Sequence, residues 1–190
     1  FPMASALAAT NELKLLERLY IQSSRYLLFI NGGAVLLLAC FATPILHFWM
    51  GARFAEQGAL IMAVVALSQL VDSLTNIPSL VNDGLGHPRV SGLFAVTRAL
   101  LGLAMLYVGV LYAGSIGAAW AHFWASVLMT AAFVSFVHGR TVPIALSHVF
   151  KQAYAMPTAL LLVIGAAAWL LNEQASTSLW ALIAAVSATC

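Results

Sequence analysis

The sequence predicts an all-α, polytopic transmembrane helix bundle of about six spans, and three observations carry that expectation. Hydrophobic residues make up 63% and charged residues 7% of the chain, against roughly 45–50% and 25% in an ordinary soluble domain. A soluble body of 190 residues could not cover its surface with so few charges. Apolar runs recur along the chain, most of them near the roughly 20 residues that cross a hydrocarbon core. Basic residues collect in alternate loops, the bias that fixes the orientation of helical membrane proteins.

The same composition excludes other classes. A formal net charge of +2 is too small to indicate a nucleic-acid partner. The two cysteines, Cys40 within an apolar run and Cys190, support neither a disulfide framework nor a metal knuckle. The chain starts at Phe1 with no charged leader, and stops at Cys190 inside an apolar stretch. It therefore reads as an internal or C-terminal piece of a longer protein.

In chain order, residues 1–25 read as the end of a preceding span followed by a cytoplasmic amphipathic helix. Thr10 is a suitable N-cap for a helix over 11–24, in which Leu13, Leu16 and Tyr20 share a face and Lys14, Glu17, Arg18 and Gln22 point elsewhere. Such a helix suits the inner membrane interface; a calmodulin-target helix has the same pattern. Residues 26–137 form a four-span core, with spans at 26–48, 59–81, 91–112 and 116–137. Residues 138–156, which hold Arg140, His148 and Lys151, are expected to lie along the cytoplasmic surface as a linker. Residues 157–190 supply two further spans, at 157–171 and 178–190, the last one truncated. Asn31-Gly32-Gly33 and Thr43-Pro44 are expected to bend the first span, and Pro78 the inner end of the second.

Orientation follows from the loops. Lys14, Arg18 and Arg25 precede the first span, Arg89 joins the second to the third, and Arg140 and Lys151 join the fourth to the fifth. The alternate loops hold only Arg53, so the N-terminal end of this piece is expected on the cytoplasmic side of the membrane. Trp49, Trp120, Trp124, Trp169 and Trp180 fall toward the outer ends of their spans, where indole rings favour the interface.

Ionisable groups within spans are costly and normally have a partner or a purpose. Asp72 lies nine residues before the inner end of the second span and Arg98 seven residues after the inner start of the third. At a rise of 1.5 Å per residue, both sit about 10–13 Å from the inner boundary. The two spans are antiparallel neighbours, so the charges can meet at one depth. Three readings stay open for Arg98: a structural ion pair with Asp72, a cavity-facing group that attracts a phosphate, or a side chain snorkelling to the inner head groups. Gln69, Asp72, Ser73 and Asn76 share one helical face, a stripe that suits a cavity lining or contacts with other helices. Gly117, Ala121 and Ala125 form a small-residue stripe for close packing, and His122 beside them reads as packed or interfacial rather than as a proton relay. No catalytic motif, metal-ligand spacing or cofactor fingerprint is present.

Four short motifs follow one another along the chain: Phe1-Pro2-Met3-Ala4-Ser5, the segment from Thr43-Pro44 to Gly51-Ala52-Arg53-Phe54, Leu85-Gly86-His87-Pro88-Arg89-Val90, and Gly114-Ser115-Ile116-Gly117-Ala118-Ala119-Trp120-Ala121. Their order resembles the C-terminal half of the polysaccharide exporters of the MOP superfamily, which includes O-antigen and exopolysaccharide flippases. In that family the first is similar to the Pro-x-x-Ser signature that ends an earlier span, the second to an outer turn, the third to an inner turn and the fourth to the Gly-x-x-Gly-Ala-x-x-Ala start of the next span.

The resemblance covers residues 1–137 and implies one lobe of a two-lobed transporter that moves lipid-pyrophosphate-linked oligosaccharides by alternating access. It implies membrane lipids, the glycan-lipid substrate and an N-terminal lobe of the same protein as partners, no nucleic acid, no cofactor, and residence in the inner membrane. Arg98, Asp72, Gln69 and Asn76 are the candidate substrate-binding or cavity-lining residues. A multidrug and toxin extrusion antiporter, coupled to a cation through Asp72, is the nearest alternative. A membrane-embedded glycan polymerase or acyltransferase is another, although no loop carries obvious catalytic residues.

Overall fold

The structure is a computed structural model and describes residues 13–166. The expected Thr10 cap, the Pro-x-x-Ser segment, the sixth span, Trp169 and Trp180 lie outside the described residues. Those that are described are helical with short turns, and no strand is found among them. Among the described residues, four helical stretches are long and apolar enough to cross a membrane, namely Leu13–Cys40, Ala52–Gly84, Pro88–Arg140 and Leu146–Ala166.

The first helix, α1 (Leu13–Cys40), runs without a break from the amphipathic segment into the apolar one. The expected boundary at residue 25 is thus absent; nothing between Gln22 and Tyr26 interrupts the backbone bonding. Gly32-Gly33 does not bend it either. Gly32 instead marks a close contact, because a Cβ there would collide with Leu161 of the last helix.

The breaks lie where proline places them. Pro44 and Pro78 lack an N–H, and each ring collides with the carbonyl four residues earlier. The helix accordingly stops at Cys40, four residues before Pro44, and resumes as α2 (Ala42–Met50). Likewise α3 (Ala52–Ser73) ends just before Leu74, four residues ahead of Pro78, and α4 (Asn76–Gly84) continues the limb. Gly51, with φ +92°, reverses the chain between α2 and α3.

The long run α5 (Pro88–Arg140) is not one rod. Ala113 and Gly114 leave helical geometry, Gly114 at φ +58°, and the chain folds back. Phe94 meets Phe133 edge-on with ring centroids 5.2 Å apart, whereas a straight helix would separate them by about 58 Å. The two limbs of this hairpin touch backbone to backbone at Gly109 and Gly117, where a Cβ on either glycine would strike the other's carbonyl oxygen. The small-residue stripe through Gly117 and Ala121 therefore does seat a helix, as its pattern suggests.

After a turn at 141–145, α6 (Leu146–Val149) passes through a π-helical turn, Phe150–Tyr154, and continues to Ala166. The stretch expected as a surface linker, 138–156, has an inward face. Val142, Ile144, Val149 and Ala153 are buried and join Leu16, Tyr20, Val81, Phe133 and Val137 in the main apolar cluster of the described residues. Those four side chains are apolar and spaced to face inward, so the segment packs into the bundle, and the following helix begins at Leu146 rather than at 157.

That cluster sits at the end of the bundle where the basic residues collect. It is tied by polar contacts between α1 and the segments around it. The Tyr20 hydroxyl lies 2.9 Å from His138 Nε2, and His138 Nδ1 lies 2.8 Å from the Ile144 carbonyl oxygen. A carbonyl can only accept, so Nδ1 carries the proton, Nε2 accepts, and Tyr20 donates. Glu17 meets His148 at 2.9 Å, and Arg25 donates to the Gln152 carbonyl at 2.5 Å.

Candidate functional site

The break in the second limb positions the site. With Pro78 unable to donate, the backbone loosens at Leu74–Thr75 and nearby hydroxyls turn to carbonyls of the same helix. Ser73 Oγ donates to the Leu70 carbonyl at 2.7 Å and Thr75 Oγ1 to that of Asp72 at 2.7 Å. The Asp72 carbonyl also accepts the Thr75 backbone N–H, and such local side-chain-to-backbone bonds are common for hydroxyls on helices. Asp72 stands on this break, one turn from residues whose hydroxyls are already engaged.

Arg98 approaches from the first limb of α5 and forms an ion pair with Asp72, its Nη2 on Oδ2. The meeting expected from matched depth on antiparallel neighbours does occur. The pair is asymmetric. Asp72 has 12% of its side chain exposed and Arg98 34%. Asp72 Oδ1 is buried with no hydrogen-bond partner, an arrangement costly in a low dielectric. The contact is thus one-sided, with carboxylate capacity left over on Asp72 and an open flank on Arg98.

Two cavities share Arg98 in their walls. One, of about 470 Å³, is walled by Asn31, Gln69, Asp72, Thr75 and Asn76 and reaches Arg98 and His122. All four residues singled out from the sequence, Arg98, Asp72, Gln69 and Asn76, line it. The other, of about 580 Å³, lies along the α5 hairpin, with Phe94, Leu103, Met129 and Phe133 on its apolar walls. Arg98, Thr75 and His122 belong to both.

The second cavity also carries a polar stripe that the sequence reading passed over. His122, Ser126 and Thr130 recur every four residues on the second limb of α5 and all face it. Ser126 is 1% exposed, and its Oγ has no hydrogen-bond partner. Thr130 Oγ1 reaches the Val71 carbonyl only at 3.4 Å. The period-four spacing of three polar residues in an apolar span was the available signal. His122 reads from the sequence as packed or interfacial because small residues flank it; Gly117 and Ala121 face Gly109 of the hairpin partner, and the imidazole lines both cavities.

No family model, curated protein or solved structure matches the chain. The site must speak for itself. Among the described residues no three His, Cys, Asp or Glu side chains gather to hold a metal ion. The arrangement offers instead a cation, a carboxylate, an imidazole and amide and hydroxyl groups around a space large enough for a polar head group.

Proposed function

We propose that this chain is the C-terminal lobe of a multi-pass inner-membrane flippase that translocates lipid-pyrophosphate-linked oligosaccharides for polysaccharide biosynthesis. The single observation that supports this reading is the Asp72–Arg98 pair, held within apolar helices beside one polar-walled and one largely apolar cavity. Charges at such depth mark substrate or ion pathways. An arginine with an open flank suits a pyrophosphate, whose oxygens its planar fork can grip in pairs. The lengthwise apolar wall of the hairpin cavity suits the lipid portion of the same molecule.

In this reading the chain crosses the membrane six times with its N-terminal end in the cytoplasm, and it works with an N-terminal lobe across a central cavity. The apolar cluster around Tyr20 and Val137 then closes the cytoplasmic side, and alternating access requires it to part. A cation-coupled drug antiporter remains a distinct second reading, favoured by the unpartnered Oδ1 of Asp72. It predicts cationic substrates and complete loss of transport in Asp72→Asn.

The test is export in cells that carry the full-length protein. Arg98→Ala should abolish export of the glycan-lipid, and Arg98→Lys should retain part of it, because lysine keeps the charge while losing the fork. Equal export by Arg98→Ala and the wild type, at equal membrane levels, would refute the flippase reading.

A further inference from the structure

The hairpin cavity holds an unexplained group. Ser126 is almost wholly enclosed, faces the cavity and has no partner for its hydroxyl. A buried hydroxyl without a partner is a standing cost unless a ligand or ordered water satisfies it. One turn away on the same helix face stands His122, and across the cavity stands Arg98. The charged or titratable side chains on the walls of the two joined cavities, among the described residues, are Asp72, Arg98 and His122.

We propose that His122, Ser126 and the open flank of Arg98 form one oxyanion site, whose affinity rises when His122 takes up a proton. The inference rests on the flippase reading and adds to it the partners of the phosphate and a dependence on pH. Each component supplies something different. Arg98 gives a permanent charge already positioned by Asp72. Ser126 gives a neutral donor fixed by its burial. His122 gives a ring N–H donor that gains a positive charge when the second ring nitrogen is protonated. Its position on both cavities places it beside an anion however that anion is shared between them.

The sign follows directly. Protonated His122 adds a positive charge and a charge-assisted hydrogen bond to the anion, and neutral His122 adds at most a neutral one. Binding therefore tightens as pH falls. Asp72 acts in the same direction if it is protonated, because it would release Arg98, so a variant lacking the imidazole is needed to isolate His122. Glutamine serves, since it keeps a hydrogen-bonding amide and cannot titrate.

The experiment measures binding to the purified full-length protein in nanodiscs of zwitterionic lipid. Inorganic pyrophosphate and dodecyl pyrophosphate are the probes, each at about pH 8 and about pH 6, the range over which an imidazole changes charge. The wild type should bind about tenfold more tightly at the lower pH, the difference expected between a charged and a neutral hydrogen bond. His122→Gln should show less than about a twofold change over the same range, and the comparison cancels the titration of the probe itself. A response with dodecyl pyrophosphate alone identifies a membrane-borne ligand, and a response with both identifies the oxyanion as sufficient. A flat wild-type profile, or an unchanged slope in His122→Gln, overturns the proposal.

Ser126→Ala gives an independent check, because it removes a hydroxyl that no protein group uses. The variant should unfold at the same temperature as the wild type or higher, and still lose affinity about fivefold or more, the effect of one donor to a charged group. Unchanged affinity would remove Ser126 from the site. Loss of export in Arg98→Ala combined with a pH-independent affinity would leave the flippase reading standing and refute the role of His122.

Discussion

Replacing Tyr20 by phenylalanine removes one oxygen from a buried contact and leaves the ring in place. Tyr20 is 1% exposed, and its ring meets that of His138 edge-on at 5.5 Å, so the packing survives the substitution. What is lost is the 2.9 Å bond from the hydroxyl to His138 Nε2. That nitrogen cannot turn elsewhere, because the imidazole is pinned at Nδ1 by the Ile144 carbonyl. The cost combines a net hydrogen bond with the partial desolvation of an acceptor left alone, about 1–2 kcal/mol for a half-buried group. Tyr20→Ala, which also empties the space of the ring, should cost about 3–5 kcal/mol. Unfolding of the purified protein by titration with a denaturing detergent in mixed micelles measures both. A double-mutant cycle with His138→Ala should return a coupling near 1 kcal/mol. Wild-type stability in Tyr20→Phe, or strict additivity with His138→Ala, would refute the contact as the tie between α1 and the hairpin end.

Three further outcomes follow from the packing and the topology. Gly117→Val should destabilise the bundle by about 1–3 kcal/mol in the same assay, because its Cβ would strike the Gly109 backbone. Gly102→Ala, where a Cβ meets nothing, should leave stability unchanged or raise it by up to about 1 kcal/mol. Asn82→Ala should cost about 2 kcal/mol by thermal unfolding, since Asn82 is fully buried and its amide joins the His87 carbonyl and Ser91 Oγ, both at 2.9 Å. Cysteines placed at Arg53 should react with an impermeant reagent from outside the cell, and those at Arg89 and Arg140 only after the cytoplasmic side is opened; the reverse pattern would overturn the proposed orientation.

The sequence was most legible where one residue acts through simple geometry. Asp72 and Arg98 meet because equal distances along antiparallel neighbours leave two opposite charges little alternative in an apolar bundle. The prolines announce bends, although the break falls four residues earlier, at the carbonyl that the ring displaces. Boundaries were harder to read. Residue 25 marks a change from amphipathic to apolar composition, but the backbone of α1 has no reason to stop there. The segment 138–156 has charges at Arg140, His148 and Lys151, which masked the inward face formed by Val142, Ile144, Val149 and Ala153. Composition averages over faces, and here the faces disagree. Ser126 alone carries no such signal, and His122 reads as packed or interfacial, for a related reason. Whether a polar stripe on one helix faces lipid, another helix or a cavity depends on how the hairpin rotates about the Gly109–Gly117 contact, and that rotation is set by tertiary packing.

The role of Arg98 as a group that meets the substrate, beyond balancing Asp72, is tested most directly by export from the double variant Asp72→Asn, Arg98→Ala. Arg98→Ala alone strands a carboxylate that is only 12% exposed, and a buried charge without its partner can cost several kcal/mol, about 3–5 when fully enclosed. The single variant therefore mixes loss of folding with loss of function. The double variant removes both charges and orphans neither, so the protein should reach the membrane at the wild-type level. At that level, export of the lipid-linked glycan should remain lost. Export restored to wild-type rates in the double variant would contradict the account and leave Arg98 a structural counterion.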